Sequence, residues 1–102
     1  MDIRYSRSLN NLIVYFSGEL DECSSGIVKI QLDRLFGENL NANKIIFDLS
    51  GLSFMDSTGI GLLIGRYKKL NKSNIPSYIR GANCQIEKVL ELSGLYSIMP
   101  KV

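Results

Sequence analysis

Asp56, Ser57 and Thr58 stand together in the stretch LSFMDSTGIGLLIG, Leu52 to Gly65. An acid and two bare hydroxyls lead into a segment that also carries Gly59, Gly61 and Gly65. At the mouth of a helix such side chains can bond to backbone N–H groups that lack partners, and a hydroxyl there sits in a positive field. A phosphate-binding loop is the obvious alternative, but the spacing in GIGLLIG is not GxGxxG and the chain has no GxxxxGK[ST]. The dinucleotide reading is therefore weak.

Other chemistries are poorly supplied. The chain has no histidine, which removes the commonest general base, the Ser-His and Cys-His nucleophile pairs and the favourite zinc ligand. Neither an enzyme, a metal site nor a cofactor is expected. Asp48, at the end of the apolar run KIIFD, invites comparison with an aspartyl phosphoacceptor of the receiver type. Such a site needs further acids to hold Mg²⁺, and LIVYFSGELD offers none at the end of a first parallel strand, so Asp48 reads as a polar strand end. Cys23 and Cys84 lie far apart and read as reduced thiols.

Bulk properties narrow the partners. With 102 residues, 45% hydrophobic and 22% charged, the chain fits one globular domain with one core. A net charge of +2, without a basic run, argues against nucleic acid. The start MDIRYSRSL lacks an apolar signal core, and no apolar run nears the roughly 20 residues of a membrane span, so a cytoplasmic protein is expected.

The elements that must position Ser57 follow from pattern. IRYSRSL and LIVYF read as two strands of an antiparallel hairpin, turning at Asn10-Asn11. Asp21 or Ser24 is placed to cap a helix carrying Ile27, Ile30 and Leu35, with Gly37 at its end. KIIFDL, Lys44 to Leu49, reads as an interior strand. A helix from about Ser57 to Lys72 follows, then a strand in IPSYIRG. Asn83 is placed to cap a helix through Ile86, Val89, Leu90 and Leu92 that stops at Gly94, and LYSIM reads as a short last strand. The order ββαβαβαβ implies an α/β domain: a mixed sheet with an N-terminal hairpin and helices packed against it.

On the central helix, Ile60, Leu63, Ile64 and Tyr67 fall at core spacing. Ser57, Gly61 and Gly65 share another stripe, which Lys68 and Lys72 continue. Each interior glycine costs about 1 kcal/mol relative to alanine, so two of them need a reason. Either they let another element of the domain approach, or they present a smooth surface to another protein's backbone. Ser57 has a similar pair of readings, as a helix cap in competition with Asp56 or as the head of that surface.

GELD at Gly18 to Asp21, LSFMDSTGIGLLIGRYK at Leu52 to Lys68 and LSGLYSI at Leu92 to Ile98 together resemble the anti-sigma factor antagonists of the STAS domain family, in particular the sporulation type of endospore-forming bacteria. The resemblance runs through the whole chain, residues 1–102, as one STAS domain, although relatives add a last helix about where this chain stops. It implies a partner-switching protein. The unphosphorylated antagonist binds an anti-sigma factor that is also a serine kinase and frees the sigma factor; phosphorylation ends binding, and a metal-dependent serine phosphatase restores it. Ser57 matches the phosphoacceptor, with Asp56 before it and Thr58 and Gly59 after it. Asp21 falls in the loop that the family folds beside this serine, and in the departing ECSS segment only Ser24 stands where relatives have threonine. The partner surface implied is Asp21, Ser24, Asp56, Ser57, Thr58, Gly59, Gly61 and Gly65. A stress-response antagonist of the same family and a nucleotide-binding STAS module are the alternatives.

Overall fold

The computed structural model describes all 102 residues. Strands β1 (Asp2–Ser8) and β2 (Asn11–Leu20) form the hairpin, followed by α1 (Ser25–Gly37), β3 (Lys44–Met55), α2 (Ser57–Lys72), β4 (Ser77–Arg80) and α3 (Cys84–Ser93). The sheet order is β1-β2-β3-β4, with β1 antiparallel to β2 and the other pairs parallel. Both crossovers, β2-α1-β3 and β3-α2-β4, step the same way, so right-handed connections place α1 and α2 on one face.

Alternation in β2 selects that face: Leu12, Val14 and Phe16 are fully buried, while Ile13 and Tyr15 point to the other side. Phe16 stacks on Phe47 at 5.8 Å, and Phe36 of α1 meets Phe47 at the same distance, so the core joins sheet to helix through aromatic contacts. Asp33 ties α1 to α2 through Arg66 at 3.1 Å and Lys69 at 3.3 Å. On the opposite face Asp48 accepts from Arg80 at 2.7 Å and from the Ser50 amide and hydroxyl. Burial works against the ionised carboxylate, but the bonds from Ser50 and Arg80 prevail and hold its pKa below the usual value. Its oxygens are committed to structure, which leaves the receiver reading without an acceptor.

Several expectations change, among them the end of the third strand, which runs past Leu49 to Met55. The hairpin turns at Leu9-Asn10, with Ser8 paired to Asn11 and Leu9 at φ 57°. On α1 the buried residues are Val28, Leu32, Leu35 and Phe36, whereas Ile27 and Ile30 are 66% and 64% exposed. The sequence offers two apolar stripes there, and the one with more residues at i, i+4, i+7 and i+8 takes the core. LYSIM is not a strand: Leu95–Ser97 is a 3₁₀ turn after Gly94, whose left-handed φ of 76° ends α3. The last β element of the expected order is a single parallel bridge, Lys101 to Ile79. Finally, Gly59, expected on the partner surface, is buried, for a reason that belongs to the site itself.

Candidate functional site

β3 delivers its chain directly into α2. Met55 pairs with Leu20 at the end of β2, and both side chains are buried, so the junction is anchored on two strands. Asp56 is extended, at φ −107° and ψ −171°, and caps the helix: its Oδ1 accepts from the Thr58 amide at 2.9 Å and the Gly59 amide at 3.2 Å. Its backbone carbonyl takes the Ile60 amide. Capping is therefore the work of Asp56, not Ser57. Ser57 is exposed, and its hydroxyl has no hydrogen-bond partner within the protein. Thr58 is exposed beside it.

The three glycines divide by environment. A Cβ on Gly59 would lie 2.5 Å from Met55 Cγ and 3.0 Å from the Leu20 carbonyl, so this glycine lets α2 dock on the ends of β2 and β3. At Gly61 and Gly65 a Cβ would meet nothing within 4 Å. Neither is needed for packing inside the domain, and both sit on the face that carries Ser57, Lys68 and Lys72.

Asp21 and Ser24 lie in the β2-α1 loop and lock it. Asp21 Oδ1 accepts the Cys23 and Ser24 amides, each at 3.0 Å. The Ser24 hydroxyl accepts the Asp21 amide at 3.1 Å and donates to the Glu19 carbonyl at 2.8 Å. Neither side chain caps α1. Leu20, one residue earlier, touches the Asp56 amide and would touch a Gly59 Cβ, so loop and helix mouth share a foundation.

Residues that sequence reasoning missed come from α3. Val89, Leu92 and Ser93 join Met55, Asp56, Ser57 and Ile60 around a shallow cleft of 410 Å³. Leu92 is 90% exposed at its rim. Its periodic position marked it for the helix, but nothing local in the sequence places it next to Ser57. Cys23 and Cys84 are both exposed, unpaired thiols. No group of His, Cys, Asp and Glu side chains is arranged to hold a metal ion, and no helix is long and apolar enough to cross a membrane.

What this arrangement can do is present a hydroxyl, a smooth helix face and an apolar rim to another macromolecule. Comparison with known proteins agrees in kind. The STAS domain model matches residues 2–102. An anti-sigma F factor antagonist from Paenibacillus polymyxa is 38% identical over 89 residues, covering 87% of this chain and 75% of that protein. An anti-sigma-B factor antagonist from Staphylococcus aureus is 40% identical over 55 residues, 54% of this chain and 51% of that protein. The fold of the anti-sigma factor antagonist SpoIIAA in its unphosphorylated form superposes with a TM-score of 0.81 at 24% identity, covering 99% of this chain and 88% of that one. An anti-sigma factor antagonist from Mycobacterium paratuberculosis has the same fold, at a TM-score of 0.85, 20% identity and coverages of 98% and 83%. The chain belongs to the STAS domain family, with anti-sigma factor antagonists among its relatives.

Proposed function

We propose that this protein is an anti-sigma factor antagonist switched by phosphorylation at Ser57. Unphosphorylated, it binds an anti-sigma factor that is also a serine kinase and releases the sigma factor, promoting sporulation transcription in the cytoplasm. Phosphorylation by that kinase ends binding, and a metal-dependent serine phosphatase reverses it. The observation that carries the reading is the Ser57 hydroxyl: exposed, unbonded, and at the head of a helix face where Gly61 and Gly65 leave open space.

The physics locates the switch at the interface. A phosphoserine carries about −1.5 to −2 charges at pH 7. Of the first amides of α2, those of Thr58, Gly59 and Ile60 are already taken by Asp56. Attraction to the helix end is then at the weak end of about 0.3–1 kcal/mol. Repulsion from the neighbouring Asp56 carboxylate, screened by water, is on the order of 1 kcal/mol. These oppose each other, so the fold changes little. A partner packed against Ser57 must desolvate the new charge, which weakens docking by roughly 2–5 kcal/mol.

Asp21 and Ser24 act by holding their loop rigid, Asp56 by fixing the helix mouth, and Gly61 and Gly65 by admitting the partner's backbone. Gly59 serves the fold. Thr58 is the competing acceptor. Mixing the protein with an anti-sigma kinase and ATP, then mapping phosphate by mass spectrometry, tests this: phosphate on Ser57 and none on Ser57→Ala is expected, whereas modification of Thr58 overturns it. Because anti-sigma-B antagonists are also relatives, kinases of the sporulation and stress-response systems should be run side by side.

A further inference from the structure

We propose that this protein self-associates through the free edge of β1, joining two sheets into one across a twofold axis. The two edges of the sheet differ. The β4 edge is covered by the C-terminal segment, where the Ile79 amide donates to the Pro100 carbonyl and the Val102 amide donates to the Ile79 carbonyl. The β1 edge is uncovered along all seven of its residues.

Exposed edges are normally blunted by lysine, proline, a bulge or shortness. β1 has no lysine or proline, and the register shifts of the sheet lie between β2 and β3. Of its two arginines, Arg7 is folded back, donating to Asn39 Oδ1 at 2.6 Å and Asn41 Oδ1 at 3.0 Å. The hairpin closes at Ser8 and Asn11. In an antiparallel ladder the direction of the bonds then alternates, so Ile3, Tyr5 and Arg7 point their N–H and C=O groups outward.

Those three positions are symmetric about Tyr5. Antiparallel pairing centred there sets Tyr5 against Tyr5 of the second copy, Ile3 against Arg7, Arg4 against Ser6 and Asp2 against Ser8. It closes about six backbone hydrogen bonds. It also keeps arginine from standing directly opposite arginine, as a register centred on Arg4 or Arg7 would not. The side chains agree with the backbone. Ile3 and Tyr5 line a groove of 250 Å³ with Ile30, Arg34 and Leu35 of α1 and with Glu38, which follows the helix. Tyr5 is 60% exposed and Ile30 64% exposed. A second copy covers this apolar strip, and the rim offers both signs of charge.

Sedimentation equilibrium from micromolar to millimolar concentration tests the proposal, with amide exchange of Tyr5 read in parallel. The expected result is a concentration-dependent dimer, with the Tyr5 amide protected only where dimer forms. Ile30→Lys, at an exposed helix position that leaves folding intact by circular dichroism, should raise the dissociation constant at least tenfold, and Ile30→Met should not. A monomer throughout, a dimer indifferent to Ile30→Lys, or Tyr5 protection that appears only on adding the anti-sigma partner would each overturn it.

Discussion

Replacing glycine by alanine in α2 gives two opposite outcomes from one chemical change. At Gly61 and Gly65 the new methyl meets nothing within 4 Å. The only effect on the isolated protein is the gain in helix propensity, about 1 kcal/mol each and about 2 kcal/mol for the pair. For a domain of this size each kcal/mol raises Tm by about 4–8 °C. At Gly59 the methyl would lie 2.5 Å from Met55 Cγ and 3.0 Å from the Leu20 carbonyl. Overpacking of that kind costs about 1–3 kcal/mol, enough to outweigh the propensity gain. Urea unfolding followed by circular dichroism should find Gly61→Ala/Gly65→Ala more stable than wild type and Gly59→Ala less stable. Calorimetric titration with the anti-sigma factor should show the stabilised double variant binding at least about tenfold more weakly, since the same methyls now stand between two fitted surfaces. A double variant that is less stable than wild type, or that binds as well, refutes the view that these glycines serve a partner rather than the fold.

Three further outcomes are expected. Leu92→Asp, at a rim position 90% exposed, should leave Tm within the range of an ordinary surface change yet weaken anti-sigma binding in the same titration. Asn83→Ala should lower stability by about 1–2 kcal/mol in urea melts, because Asn83 caps α3 through the Ile86 amide and also donates to the Leu52 carbonyl. Asp48→Asn should cost about 1 kcal/mol near neutrality, because solvent around the partly exposed Arg80 screens the pair. Its pH dependence is a sharper sign. The carboxyl ionises at lower pH folded than unfolded, where its pKa is about 3.9. Its contribution is therefore complete above that value and vanishes as pH falls through the lower folded pKa. Urea midpoints between pH 2 and 7 should show a shallower acid limb in the variant.

The parts of the fold that local chemistry dictates were legible in the residues. α2 runs from Ser57 to Lys72, and α3 begins after Asn83 and stops at Gly94, because capping side chains and a left-handed glycine mark those ends. What needed the tertiary structure was of another kind. Nothing in Leu9 announces a turn, since leucine has no preference for positive φ. The continuation of β3 through Ser50, Gly51 and Ser53 has weak strand propensity and is held by pairing with β2. Ile27 and Ile30 look as apolar as the Val28 stripe that won the core. Gly59, Gly61 and Gly65 are alike on paper, and only their neighbours assign one to the fold and two to the surface. Leu92 lies 35 positions after Ser57 in the chain, and only the packing of α3 brings it to the same cleft.

The most direct measurement is the affinity of one preparation for the anti-sigma kinase before and after phosphate is placed on Ser57, with its Tm recorded in both states. Affinity falling by about 100-fold or more, roughly 2.7 kcal/mol, with Tm nearly unchanged, is the predicted result. Equal affinity in the two states, or a loss of binding that follows unfolding, would contradict it.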